Sequence, residues 1–267
     1  MAQPDNENNV TPAFDHLPLN KYQSNVYSQN GEDGVVAELL KRLGLSDVPN
    51  QWCVEFGAWD GRKLSNTFSL VERKAFNAVY IEGHADRFKE LQTLVQQFPA
   101  ITPICAYVSP QRSDRTSLDN LLAQTDIPKD FTLLSIDIDS FDLDVWESFV
   151  SCQPKIVIIE INSSVPPGII WRHGPKTPQN TFSATCNVAV AKGYKLVCHT
   201  GNLIFVREDL VAALGIEERF FTYPELLFLF DSIWFPEGLF STSTRAQFRR
   251  IFSRFVPKPL RKRVGRN

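Results

Sequence analysis

The chain has 267 residues, 43% of them hydrophobic and 22% charged, with a formal net charge of −2. This is the composition of a globular protein with one large domain or at most two small ones, and no apolar run is long enough to predict a transmembrane helix. The five cysteines are scattered, odd in number and without a C-x-x-C pair, which argues against a disulfide framework or a zinc site and for reduced, buried thiols.

In chain order, residues 1–25 are polar and proline-bearing and read as a flexible N-terminal arm of a cytoplasmic protein, without the pattern of a signal peptide. "GVVAELLKRLG" (34–44) has apolar residues at helical spacing and ends on glycine. "QWCVEFG" follows as a strand. "LSNTFSLVERK" reads as a helix with Ser65 or Asn66 near its start. "NAVYIEG" is a buried strand and "ADRFKELQTLVQQF" an amphipathic helix. "ITPICAYVS" reads as a strand whose Pro103 predicts an edge position. After the helical "TSLDNLLAQT" come two continuously apolar strands, "FTLLSIDID" and "KIVIIEIN", with the helix "DLDVWESFVS" between them. Such runs suit parallel strands covered on both faces. "TFSATCNVAVAKG" is a helix, and "YKLVCHTGNLIFVRE" a hairpin turning at Gly201-Asn202. Repeated strand–helix units predict a doubly wound α/β sheet. Residues 208–244 are aromatic-rich and suggest a helical extension, a cap or a subunit contact of a homo-oligomer.

Charge is uneven. The segment 245–267 holds nine of the 28 Lys/Arg and none of the 30 acids, which leaves 19 basic against 30 acidic residues upstream. Its phenylalanines interleave with arginines at helical spacing. An anionic membrane surface, nucleic acid and plain solvent are the competing partners for this basic amphipathic tail. The acidic body argues against nucleic acid.

In an open α/β sheet, ligands bind beyond the C-terminal ends of the strands. Those ends carry Glu55, Gly57, Asp60 and Gly61, then Glu82, then Asp137, Asp139 and Asp142, then Glu160 and Asn162. Gly57 and Gly61 allow backbone to approach a ligand. Glu82, at the next strand end, can accept hydrogen bonds from the two hydroxyls of a ribose. The spacing is not G-x-G-x-x-G, and an acid-rich crevice repels a pyrophosphate. A sulfonium cofactor with a ribose and an amino-acid tail fits the charge better.

"VEFGAWDG" and "VYIEG" resemble the glycine-rich motif and the ribose-binding acid of class I S-adenosylmethionine-dependent methyltransferases. Residues 26–207, including "YSQNGEDGVVAELL", resemble the FkbM-like group. The resemblance implies a Rossmann-like sheet of about seven strands with the last antiparallel, and S-adenosylmethionine held by Glu55, Gly57, Asp60, Gly61, Asn66 and Glu82. Asn66 either binds the methionine carboxylate or simply starts its helix. "SIDIDSFD" departs from the lysine and "D-V-E-G" segment usual in that group. It resembles the D-x-D of magnesium-dependent sugar O-methyltransferases and, with Glu160 and Asn162, the ligand set of catechol-type enzymes. The expected metal ligands for Mg²⁺ are therefore Asp137, Asp139, Glu160 and Asn162, oxygen donors that suit a hard cation. Asp137 or Asp139 is the first candidate base and His173 the second, with Asp142 a helix cap. Trp171 and Arg172 in the same loop suggest a sugar-stacking and gripping pair. The expected activity is O-methylation of a sugar hydroxyl on a glycan or its precursor. A natural-product hydroxyl is the alternative acceptor, and a non-catalytic cofactor-binding module the alternative role.

Overall fold

Apolar residues alternate between two faces in every central strand, so the sheet must be covered on both sides. The computed structural model describes residues 16–177 and 179–229 and has this form. Five parallel strands, β1 (Trp52–Phe56), β2 (Asn77–Glu82), β3 (Ile101–Cys105), β4 (Leu133–Ile136) and β5 (Ile156–Glu160), are followed by β6 (Tyr194–His199) and β7 (Asn202–Arg207). The order across the sheet is β3-β2-β1-β4-β5-β7-β6. β7 is antiparallel to both β5 and β6. This is the Rossmann-like doubly wound sheet, with its last strand antiparallel, that the sequence pattern and its resemblance lead one to expect. β3 is an edge strand, so Pro103 removes no ladder bond from the interior.

Helices α1 (Glu32–Arg42), α2 (Phe68–Lys74), α3 (Ala85–Val95), α4 (Leu118–Leu122), α5 (Asp142–Ser148) and α6 (Phe182–Ala191) connect the strands, and α7 (Glu218–Thr222) follows β7. Val54, Phe56, Ile81, Ile136 and Ile159 enter one core, with Trp146, Phe182 and Phe205. Cys53, Tyr80, Leu133 and Ile158 enter the other, with Leu39, Phe68 and Leu91. Ser117 and Thr181 each accept a backbone N–H at the start of α4 and α6.

The structure corrects several expectations. Residues 16–25 are not wholly a loose arm, since Leu17, Leu19 and Asn20 are buried and Asn20 donates to the His199 carbonyl at 2.7 Å. The hairpin turns at Thr200-Gly201, one residue earlier than expected. Cys105 is exposed at the end of β3 rather than buried, whereas Cys53, Cys186 and Cys198 are buried. The chain divides into Met1–Ser232 and Ile233–Asn267. The basic tail and residues 230–244 of the aromatic extension fall outside the described residues.

Candidate functional site

The strand order reverses between β1 and β4, and a crevice opens above such a switch point. β1 ends at Phe56, and Gly57 follows with φ +80 and an exposed backbone. A Cβ on Gly57 would lie 1.7 Å from the Asp137 carbonyl oxygen. The glycine is thus required for the turns after β1 and β4 to approach each other. Gly61 (φ +82) answers to a different neighbour. Its Cβ would meet Leu94 and Leu91 of α3 at 2.5 and 2.8 Å, so glycine here lets the bend seat closely on a helix.

Glu82 does turn toward this bend. Its carboxylate accepts the Trp59 N–H at 2.8 Å and the His84 N–H at 2.6 Å, and the residue is 5% exposed. Each oxygen keeps a further lone pair, as a ribose contact requires. Trp59 holds φ +49, and its ring has the Arg87 guanidinium at 3.9 Å and the Lys63 ammonium at 4.3 Å from its centroid.

The remaining expected cofactor contacts serve the scaffold. Glu55 accepts from Ser65 Oγ (2.6 Å), the Asn66 N–H (3.0 Å) and Thr67 Oγ1 (2.5 Å), so it organises the loop before α2 instead of facing a cofactor. Burial pushes its carboxyl upward, against the pull of those hydrogen bonds. Asn66 donates to Ser135 Oγ on β4 at 3.1 Å. Asp60 accepts the Arg62 and Lys63 N–H groups and closes its own turn.

Across the crevice the acids converge. Asp137, Asp139 and Glu160 each bring a carboxylate oxygen within 4.8 Å of the others. Burial, then the neighbouring carboxylates, push Asp137 up to about 7 and Glu160 up to about 9. The two are hydrogen-bonded, and burial with like charge disfavours ionising both, so the pair shares a proton near neutral pH. Glu160 Oε2 is buried without a hydrogen-bond partner. An unmatched carboxylate oxygen among converging oxygens fits a hard divalent cation, with Asp137, Asp139 and Glu160 as its holders. Asn162 is a less suitable fourth ligand, because its side-chain oxygen accepts from the Ser164 N–H (3.1 Å) and Oγ (2.5 Å).

Asp139 sits exposed at φ +59 and accepts from Gln179 Nε2 at 3.4 Å. Asp142 accepts the Ile138 and Ser140 N–H groups, so it folds the loop that carries Asp139. His173 Nδ1 accepts the Gln179 N–H at 3.3 Å, and its ring meets Phe141 edge-on at 5.1 Å. That contact occupies one of the two ring nitrogens. Arg172 is not free to grip a sugar, because Asp144 and Glu147 of α5 hold its guanidinium at 2.9 and 2.6 Å. Trp171 Nε1 is buried and unpartnered. Gln179, which links Asp139 to His173, gives no local signal in the sequence.

Two hollows lie away from this crevice. One of about 630 Å³ is lined by Gln153, Lys192 and Arg207 at the opposite end of the sheet. Another of about 490 Å³ lies between residues 46–49 and the end of α2. Their linings are mixed-charge surface groups, and Arg207 is already paired with Asp130 and Asp209. The crevice is preferred on chemistry, because it gathers the titratable groups with raised pKa.

The fold and site together define a Rossmann-like α/β protein with an acid-lined crevice. No protein-family model matches the chain, and no curated protein matches it. Solved structures of similar fold include the citrinin polyketide synthase CMeT domain, at 13% identity over 68% of this chain and 55% of that one, TM-score 0.45. The CurJ carbon methyltransferase is 9% identical over 68% and 56%, TM-score 0.45. M. capricolum TrmK, in complex with S-adenosyl-homocysteine, is 12% identical over 64% and 67%, TM-score 0.40. The chain spans little more than half the length of the first two. At such identities and scores these likenesses carry no argument about function.

Proposed function

We propose that this protein is an S-adenosylmethionine-dependent O-methyltransferase that acts on a sugar hydroxyl of a glycan or its precursor. The observation that carries the reading is Glu82, a buried carboxylate tied to the bend after β1 and lying beside the switch point. A carboxylate there recognises the hydroxyl pair of a ribose, and its charge suits a cationic cofactor.

Bound S-adenosylmethionine supplies a methyl group already activated on a sulfonium sulfur. The chain has two tasks left, to align an acceptor oxygen and to remove its proton. Alignment supplies up to about 7–11 kcal/mol in favourable systems. Asp137, pushed up to about 7, matches the operating range of a general base. Were a divalent cation such as Mg²⁺ held by Asp137, Asp139 and Glu160, its charge would lower the pKa of the acceptor hydroxyl, and Asp137 would act as ligand in place of base. The FkbM-like resemblance supports the same reading, as does the tail, which suits a site of assembly at an anionic membrane.

Calorimetry of the full chain with S-adenosylmethionine, with and without Mg²⁺, tests the reading, followed by labelled-methyl transfer to a panel of sugars and glycan precursors. Binding that is lost in Glu82→Gln is expected. Absence of binding by the wild-type chain overturns the proposal. Flotation with anionic liposomes, comparing the full chain with residues 1–244, tests the membrane role of the tail.

A further inference from the structure

Two cations share one ring at the rim of the crevice. The Trp59 indole has the Arg87 guanidinium at 3.9 Å and the Lys63 ammonium at 4.3 Å from its centroid, so the two charges lie no further apart than the sum of those distances. Both residues are exposed, and neither has an ion pair among the described residues. The nearby acids are engaged elsewhere. Asp60 accepts the Arg62 and Lys63 N–H groups, Asp86 pairs with Lys89 at 2.9 Å, and Glu82 accepts two N–H groups. Two like charges gathered on one ring repel each other, here without an ion pair to offset them. The backbone under the ring is strained as well, with a bulky side chain at φ +49.

We infer that Arg87 and Lys63 hold a phosphate of the acceptor, which makes that acceptor a glycosyl phosphate and not a neutral glycan. The inference deepens the sugar-acceptor reading proposed above and rests on it. The location follows from the bend after β1. Trp59 stands two residues past Gly57, whose backbone packs against the Asp137 carbonyl, and the Trp59 N–H bonds Glu82. The ring therefore borders the crevice on its β1–β2 side, while the acid trio lies on its β4–β5 side. The trio repels a phosphate placed among its carboxylates, but at the β1–β2 rim the charges left over are positive. A phosphate presents several oxygens and more than one negative charge, enough to bridge a guanidinium fork and an ammonium. S-adenosylmethionine does not supply that group. It has no phosphate, and its one carboxylate is on the amino-acid tail, away from the ribose hydroxyls that Glu82 takes. Nucleotide-linked and polyprenyl-linked sugars share this phosphate chemistry.

The test is calorimetry of the full chain in EDTA with saturating S-adenosylhomocysteine. The probes are inorganic pyrophosphate, uridine diphosphate glucose, a short-chain polyprenyl phosphoglucose and uncharged methyl glucoside. Pyrophosphate is expected to bind the wild type, about tenfold more weakly in Arg87→Gln and in Lys63→Gln, and more weakly with added salt. Both side chains are exposed, so the variants should melt with the wild type, which separates binding from folding. The tighter of the two glucosyl phosphates identifies the carrier. Pyrophosphate affinity unchanged in both variants overturns this inference and leaves the donor reading standing. Methyl glucoside binding as tightly as the glucosyl phosphates overturns it too, as does a single-stranded oligonucleotide that binds more tightly than both. S-adenosylhomocysteine affinity that falls in the same variants assigns the cations to the donor's carboxylate and likewise overturns it. No S-adenosylhomocysteine binding by the wild type overturns the donor reading first.

Discussion

The Glu82 carboxylate and the Trp59 backbone N–H meet at 2.8 Å, which joins the end of β2 to the bend after β1. The side chain best placed to hold a ribose also holds the backbone around it. Substitution there has two consequences that must be read separately.

Glu82→Gln keeps one acceptor oxygen and removes the charge. S-adenosylhomocysteine affinity is expected to fall about ten- to hundredfold, as for loss of a charged hydrogen bond, with a stability loss of about 1–2 kcal/mol. Calorimetry and urea unfolding on the same samples check both numbers. Glu82→Ala is the poorer test, because it also leaves two buried N–H groups unpaired.

The Asp137–Glu160 pair makes a pH prediction. Both groups have folded pKa values above their usual ones, so the folded chain binds more protons than the unfolded chain between about pH 4.5 and 9. Stability contributed by the shared proton is present at the acid end of that window and is lost as pH rises through it. The slope is at most about 1.4 kcal/mol per pH unit per proton. Glu160→Gln should flatten this decline and raise the melting temperature at pH 8–9. A variant that melts in parallel with the wild type across the window would rule out the shared proton.

Millimolar Mg²⁺ should raise the melting temperature of the wild-type chain, because binding to the folded state alone stabilises it. Asp139→Asn removes one holder on an exposed loop and is expected to abolish that rise with little effect on stability in EDTA. A similar rise in the variant would place the ion elsewhere.

Gly57→Ala places a Cβ 1.7 Å from the Asp137 carbonyl oxygen at φ +80, and the expected destabilisation is about 3 kcal/mol or more. Gly44 serves as the comparison. It has φ +68 and nothing within 4 Å of its Cβ, so Gly44→Ala should cost only about 1–2 kcal/mol of backbone strain. Chemical denaturation of the two variants distinguishes contact from strain.

Asp33 Oδ2 accepts the Val26, Tyr27 and Ser28 N–H groups at 2.7–2.8 Å, and Oδ1 accepts from Ser69 Oγ at 2.5 Å. Burial raises the Asp33 pKa, but these bonds together hold it below the usual carboxylate value. Its contribution is therefore full above that value and lost as pH falls through the folded pKa. Asp33→Asn should cost about 2 kcal/mol at pH 7 and less in acid, measured by thermal melts between pH 3 and 7.

Strands and helices were legible because their signals are local. Continuous apolar runs marked β4 and β5, and Pro103 marked an edge. The roles of polar residues were less legible where their partners lie far along the chain. Glu55 looks like a ligand contact until Ser65 and Thr67 fold back onto it from ten and twelve residues away. Arg172 looks free until Asp144 and Glu147, 28 and 25 residues earlier, claim it. The acid trio was legible as a gathering of strand ends, since parallel strands deliver their C-termini to one side. The bonds that Asn162 accepts from Ser164 follow from no spacing rule.

The placement of β7 also bears on synthesis. β7, the last strand among the described residues, is interior to the sheet, and the buried Glu32 accepts from Thr200 Oγ1 and Asn202 Nδ2 across 168 and 170 residues. Until residue 207 leaves the ribosome, β5 has an open edge and Glu32 lacks these two partners. The nascent polypeptide must therefore wait, with an apolar strand uncovered, for β7 to insert. Such long-range closure slows folding and makes protection by chaperones most valuable late in translation.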